Sequence, residues 1–340
     1  MRANFSLMKE MAQITNTDAR RRVQECKSLI ESFGKSEKCK EAMQEWQMCI
    51  ESDPIQIQGQ KLAAGKMIMG KVSEQERSSF DIETCQDIDR KIQAKMYAQP
   101  DLKRWGIFYC ENDRRTAVQF IETMQKCTET FHYQVSKPRE FAMRTNRFDD
   151  WQREIKQSVN SSVQMLVLLL PGQKNKAPLY DDLKRLLITE IPVPSQVVLV
   201  NTISKGKNVR SICNKILIQI CAKIGGEPWT ISNMPLMNKP TMICGMDTFH
   251  KQGTGSKSIL AFTASLNKEV TNYYSSAKIQ DEGQELSNTL QKIVSEALTA
   301  FKNKNGVYPM QVVIYRDGVG DSQQRAVLMY ELPQVKEAIK

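Results

Sequence analysis

The chain has 340 residues, 41% of them hydrophobic, which is enough for two or three domains with real cores and too apolar for a disordered tail. Its 48 basic and 38 acidic residues leave a net charge of +10, a balance that favours polyanionic partners, nucleic acid above all. Nine cysteines without a CxxC pair, and only two histidines, His132 and His250, argue against a zinc site and against a disulfide framework.

The opening "MRANFSLMKEMAQIT" lacks the apolar core of a signal peptide. Residues 1 to about 52 are polar and helix-prone. "DARRRVQECKSLIESF" and "KCKEAMQEWQMCI" each place apolar residues on one helical face, predicting two amphipathic helices that pack on something larger. From 53 to about 104 the pattern weakens, with "SDPIQIQGQKL" expected to be a short extended piece in a region without a core of its own. From 105 the rhythm changes. "RWGIFYC", "HYQVSKPREF", "VQMLVLLLPG" and "SQVVLV" are extended or strand-like. Between and after them come the helical patterns "NDRRTAVQFIETMQKCTETF", capped by Asn112 or Asp113, "RFDDWQREIKQSV", "PLYDDLKRLLITE" and "NVRSICNKILIQICAKIGG". Such alternation predicts a mainly parallel sheet covered on both faces. "VQMLVLLL" is too short to cross a bilayer, so no membrane partner is expected.

After the connector "GEPWTISNMPLMNKP" the order becomes strand, strand, strand, helix, strand, helix. The pieces are "TMICGMDTF", "SILAFTASLN", "VTNYYSSAKI", "ELSNTLQKIVSEALTAFKNKNG", "MQVVIYRDG" and "DSQQRAVLMYELPQVKEAIK". That order lets the first strand lie beside a parallel fourth. Asp247, near the end of the first, and Asp317, at the end of the fourth, would then meet at one edge. Two carboxylates so close repel unless cations lie between them, and hard divalent ions such as magnesium take such oxygen ligands. Taken alone, an Asp followed by Gly at a strand end is more often a turn residue. Elsewhere, Tyr180 and Lys184 are four apart on one helix, as are Lys215, Gln219 and Lys223 on another, and Gln196 lies between. Their hydroxyl, ammonium and amide groups all donate to phosphate oxygens, although each residue also reads as ordinary surface polarity. No GxGxxG follows any strand, which weighs against a dinucleotide enzyme.

"GMDTFH", "DEGQELSNTL" and "IYRDGVGDSQ", in that order and spacing, resemble the catalytic half of the Argonaute family, the Piwi branch in particular. "RDGVGDSQ" is close to that family's "RDGVSDGQ". The resemblance covers essentially the whole chain. It implies an α/β protein: a helical linker region over 1–104, a Rossmann-like middle (MID) domain over 105–235, and a ribonuclease H-like PIWI domain over 236–340 that is incomplete at its C-terminal end. It implies Asp247 and Asp317 as ligands of magnesium or manganese, and Glu285 as a further catalytic residue on a mobile loop, with Glu282 its nearby competitor. Tyr180, Lys184, Gln196 and Lys223 match the residues that bind the 5'-phosphate of a guide. Gln219 stands where the Argonaute branch proper has lysine, as in Piwi proteins. "GQKNKAP" corresponds to the segment that reads the first guide base, and Lys205, Lys207 and Arg210 are expected near guide phosphates.

The implied function is RNA silencing with a small single-stranded guide RNA, complementary target RNA and silencing partner proteins, in the cytoplasm or nucleus. The intact protein would cleave the target by metal-dependent hydrolysis. The alternative is a guide-holding module that does not cut. The family's fourth metal-binding position, usually histidine, lies beyond Asp317, and the chain stops at Lys340. His250 does not replace it. The chain is therefore expected to be a fragment that by itself cleaves RNA poorly.

Overall fold

The structure, a computed structural model, describes residues 10–12, 14–61, 65–72, 77–85, 87–172, 177–204, 208–250, 257–281 and 289–340. It divides into two compact units, residues 1–63 and 64–340. In the first, helix α1 (Ala19–Lys35) starts at Asp18, whose carboxylate accepts from the Arg21 amide. Helix α2 (Glu37–Glu45) starts at Ser36, whose hydroxyl accepts from Cys39 N–H. Neither helix has a buried residue. The stretch 52–61, expected to be extended, forms no strand. Ile55 and Ile57 are 89% and 84% exposed, and no neighbouring segment takes up the backbone groups of 52–61 in a ladder.

The second unit opens with a small antiparallel sheet that the sequence did not announce. Its order is β2 (Ser79–Asp81), β1 (Lys66–Ile68) and a two-residue strand further along, Thr230–Ile231, here called β7. This last strand lies in what reads as a plain connector. Beside it, the amides of Tyr97 and Ala98 donate to the carbonyls of Pro228 and Glu227. Met96 and Leu102 are buried in the core of the following sheet. Gly70 is clamped here: its N–H donates to Lys95 O at 2.7 Å, and a Cβ would stand 2.1 Å from Met96 O. Gly70→Ala is expected to lower stability by about 1–3 kcal/mol, measured by urea unfolding, because backbone must move to admit the methyl group.

The central sheet is wholly parallel, in the order β4 (Arg139–Met143), β3 (Trp105–Cys110), β5 (Met165–Leu170), β6 (Ser195–Leu199). All six residues of β3 and of β5 are buried, as a strand covered on both faces requires. One face packs Ile107, Tyr109, Val167 and Leu169 against α4 (Arg114–Thr130) and α8 (Val209–Lys223). The other packs Phe108, Phe141, Leu166 and Leu168 against α5 (Phe148–Ser158) and α6 (Ala177–Arg185). A short helix, α3 (Ile88–Lys91), precedes this sheet, and another, α7 (Val200–Ser204), follows β6. Neither expected cap of α4 makes a cap bond. Asp113 holds the position without one, while Glu111 chelates Arg114 at 2.7 and 2.9 Å. Helix α6 leaves α geometry at Leu186–Glu190, a π-helical turn.

The third sheet has the order β10 (Tyr273–Gln280), β9 (Ser258–Ser265), β8 (Thr241–His250), β11 (Gln311–Arg316). β8, β9 and β10 are antiparallel neighbours, and β11 is parallel to β8. The crossover is α9 (Leu290–Asn305), which ends at Gly306 (φ +76°), a conformation that favours glycine. Met242, Cys244, Met246, Leu260 and Phe262 pack on Ile293, Val294 and Ala297 of α9 and on Val335 of α10 (Leu332–Ile339). β10 begins at Tyr273, later than its apolar pattern indicates. The Asn267 carboxamide accepts from the amides of Thr271 and Asn272 and turns the chain there first. Together these elements form an α/β protein with a parallel, Rossmann-like sheet followed by a mixed, ribonuclease H-like sheet.

Candidate nucleic-acid interface

Two clusters stand out, one at each large sheet. At the parallel sheet, Lys184 occupies the last turn of α6 and Lys223 the last turn of α8, where an ammonium offsets the carbonyl end of a helix. Both converge on the start of β6. Lys184 Nζ donates to Ser195 O at 3.1 Å and to Ser195 Oγ at 2.7 Å. Lys223 Nζ donates to the same carbonyl at 2.9 Å and to Gln196 Oε1 at 2.9 Å. The Gln196 side chain is buried and donates to Val197 O. Burial holds the Lys184 ammonium below the ordinary lysine pKa, and the Lys223 charge adds to that. Burial does the same to Lys223. Among the described residues neither lysine has an acidic partner. Two ammoniums on one carbonyl concentrate positive charge at the start of β6.

Tyr180 and Gln219 stand one turn from Lys184 and Lys223 on the same helices, both exposed. Lys215 is turned elsewhere and pairs with Asp89 at 3.3 Å. Ser195 is the residue sequence reasoning missed. Its one signal is position, beside Gln196 at the head of an apolar strand. Lys205 and Lys207, and residues 173–176 of "GQKNKAP", lie outside the described residues. Arg210 donates weakly to Thr130 Oγ1, at 3.4 Å.

At the second sheet, β11 runs parallel to β8 with Arg316 opposite Met246, and the Asp317 amide donates to Met246 O at 3.0 Å. Asp317 therefore follows directly beside Asp247, about 4.8 Å away at strand spacing. Alternation decides the face. Met242, Cys244 and Met246 point into the core, so Ile243, Gly245 and Asp247 point away from it. Tyr315 and Asp317 share that outer face. Both aspartates are exposed, and each Oδ1 accepts the next residue's amide at 2.8 Å, from Thr248 and Gly318. Gly318 has φ +77°, so the turn after Asp317 favours glycine.

Behind the turn, Arg316 is braced against Glu331, with Nε to Oε2 at 3.1 Å and side chains only 10% and 3% exposed. The Arg316 guanidinium also donates to Asp317 O. Sequence reasoning passed over both residues, because nothing in "IYRDG" shows which distant acid the arginine meets. Glu282 and Glu285 lie outside the described residues. Among the described residues no third histidine, cysteine or carboxylate joins the pair. His250 Nδ1 is 2.8 Å from Ser258 Oγ. The donor set that is present, two adjacent exposed carboxylates on one face, fits a hard divalent ion.

The family model of the Piwi domain matches residues 165–340, just over half of the chain. The match begins at β5, inside the parallel sheet. Piwi-like protein Ago3 of Bombyx mori is 30% identical over 338 residues, 98% of this chain but 35% of that protein, so the chain spans about a third of that relative's length. The crystal structure of Drosophila Piwi superposes with a TM-score of 0.82 at 21% identity, covering 98% of this chain and 44% of that one. The structure of Kluyveromyces polysporus Argonaute with a guide RNA gives a TM-score of 0.66 at 15% identity over 82% of this chain and 36% of that one. These two likenesses show the fold. The match to the Piwi domain over more than half of the chain places this protein in the Argonaute family, in its Piwi branch.

Proposed function

We propose that this chain holds the 5'-phosphate of a small guide RNA at Lys184, Lys223 and Gln196, with Tyr180 and Gln219 at the rim. Asp247 and Asp317 supply the carboxylates of a centre that cuts guide-paired RNA. The convergence of two partly buried ammoniums on the Ser195 carbonyl carries this reading. A phosphate would accept from both and offset the repulsion between them. The solved neighbour that contains a guide RNA supports it. Target RNA and silencing proteins are the further partners we assign to the protein, and Glu285 the third catalytic carboxylate.

The outer-face carboxylates of Asp247 and Asp317 would hold magnesium or manganese. Such an ion, when bound, offsets the charge that builds on the phosphate during hydrolysis. The chain's own part is to fix the pair. The β8–β11 ladder sets their spacing, and the Thr248 and Gly318 amides orient one oxygen of each. Gly245 leaves the neighbouring surface low, since a Cβ there would touch only Thr263 Oγ1 at 3.2 Å.

The anchor is tested by comparing 5'-phosphorylated and 5'-hydroxyl RNA. Hydrogen bonds to charged groups are worth about 1.5–3 kcal/mol. Lys184→Ala and Lys223→Ala should therefore each weaken the phosphorylated RNA by roughly 10–100-fold and the hydroxyl form far less. Equal affinity of wild type for both RNAs would sink the anchor. The pH dependence has a definite sign. Both lysines have folded pKa values below the unfolded one, so the cost of burying their charge is present at neutral pH and is relieved as pH rises through the folded pKa. Preference for the 5'-phosphate should correspondingly fade at a pH below that at which ordinary lysines lose their proton.

A further inference from the structure

A cavity of about 260 Å³ opens at the N-terminal ends of β3, β4 and β5, outside both clusters above. Its floor is apolar, made by Phe141, Leu166, Val159 and Val163. Gly106 shapes that floor, because a Cβ there would crowd the Phe141 ring at 3.0 Å. Four cations line it: Lys103, Arg104, Lys137 and Arg139. No carboxylate is among its described lining residues. Asp101 offsets Lys103 at 3.0 Å, and among the described residues Lys137 and Arg139 have no ion pair. Arg104 is fixed by a 2.7 Å bond from Nε to Ser162 O. The Arg139 guanidinium lies over the Phe141 ring, 4.9 Å from its centroid, and Arg139 is exposed.

We propose that this groove is a second RNA contact, holding one nucleotide with its base on the Arg139–Phe141 stack and its phosphate between Lys137 and Arg104. Guanidinium planes and aromatic rings are surfaces on which unpaired bases stack. The cavity is below the ~300–1,000 Å³ of sites for drug-sized ligands, which suits a single nucleotide. Its place favours RNA over an acidic protein segment. Ser195 starts β6 at the same end of the same sheet, opposite Leu166 of the groove floor and three strand spacings, or about 14 Å, from Arg139 on β4. The groove and the Lys184–Lys223 cluster thus form one cationic edge along which a strand can run. The proposal rests on the RNA-binding reading above but not on the 5'-phosphate anchor.

The test is the salt dependence of affinity for a 5'-phosphorylated single-stranded RNA long enough to reach both sites. Each phosphate contact on a single strand contributes about 0.7 to the slope of log K against log salt. The double charge reversal Lys137→Glu, Arg139→Glu should lower affinity and flatten that slope by about 0.7, the share of the one phosphate held in the groove, while the preference for 5'-phosphate over 5'-hydroxyl stays as in wild type. RNA carrying 4-thiouridine should cross-link to the peptides containing Trp105 or Phe141. Lys103→Glu, Lys137→Glu leaves the Arg139–Phe141 stack untouched and should flatten the slope in the same sense, which guards against a folding defect in the first variant. An unchanged slope in both variants overturns the proposal, as does competition by a glutamate-rich peptide that the variants abolish without any effect on RNA. Loss of the 5'-phosphate preference in wild type, with the slope change intact, would instead remove only the anchor.

Discussion

In the intact, guide-loaded protein, replacing either Asp247 or Asp317 by asparagine should abolish cutting of guide-paired RNA while leaving guide and target affinity unchanged. The change keeps the shape of the side chain. It also keeps the oxygen that accepts the Thr248 or Gly318 amide, so the β8–β11 edge should stay as it is. What goes is one of two negative charges on a shared outer face. Charge stabilisation by metal sites is worth several kcal/mol, so the rate should fall on the order of 10³-fold or more. Cleavage of labelled target with magnesium or manganese measures it. Wild-type rates in either variant would remove the nuclease reading. A wild-type protein that loads guide and never cuts would favour the guide-holding module instead.

The second large effect concerns stability. Glu331→Ala would take a carboxylate from the largely buried Arg316 guanidinium, and Arg316→Met would take a guanidinium from the Glu331 side chain, which is 3% exposed. Removing one side of a buried pair costs about 3–5 kcal/mol, because a charge stays out of water uncompensated. Urea unfolding should show that loss in each single variant. The double variant Arg316→Met, Glu331→Leu should recover much of it, since an apolar replacement strands no charge. Purely additive losses would show that the pair is not coupled. Because Arg316 also donates to Asp317 O, the single variants should loosen the turn at Asp317 as well, and on the proposed reading manganese should bind more weakly than the stability loss alone explains.

Much of the fold was legible because it follows from short-range pattern. A six-residue apolar run such as "MLVLLL" has to be covered on both faces, and its alternation with amphipathic helices gives a parallel sheet. The strand–strand–strand–helix–strand order of 241–316 left few right-handed ways to close, and one of them sets β11 beside β8. Helix spacing likewise put Tyr180 with Lys184 and Gln219 with Lys223. The small sheet of β1, β2 and β7 was not legible. Its strands are two or three residues long, too short for periodicity, and β7 pairs with β1 across the chain from Ile68 to Thr230.

The amino-acid order alone determined that two apolar strand patterns each carry an aspartate toward their C-terminal end, and that Tyr180 with Lys184 and Gln219 with Lys223 fall one turn apart, since both are consequences of local periods of two and 3.6 residues. Only the tertiary structure decided that Lys184 and Lys223 meet on one carbonyl, that Arg316 finds Glu331, and that four cations gather around Phe141. Those contacts join elements far apart in the chain, and burial and side-chain reach, which no local pattern encodes, select them.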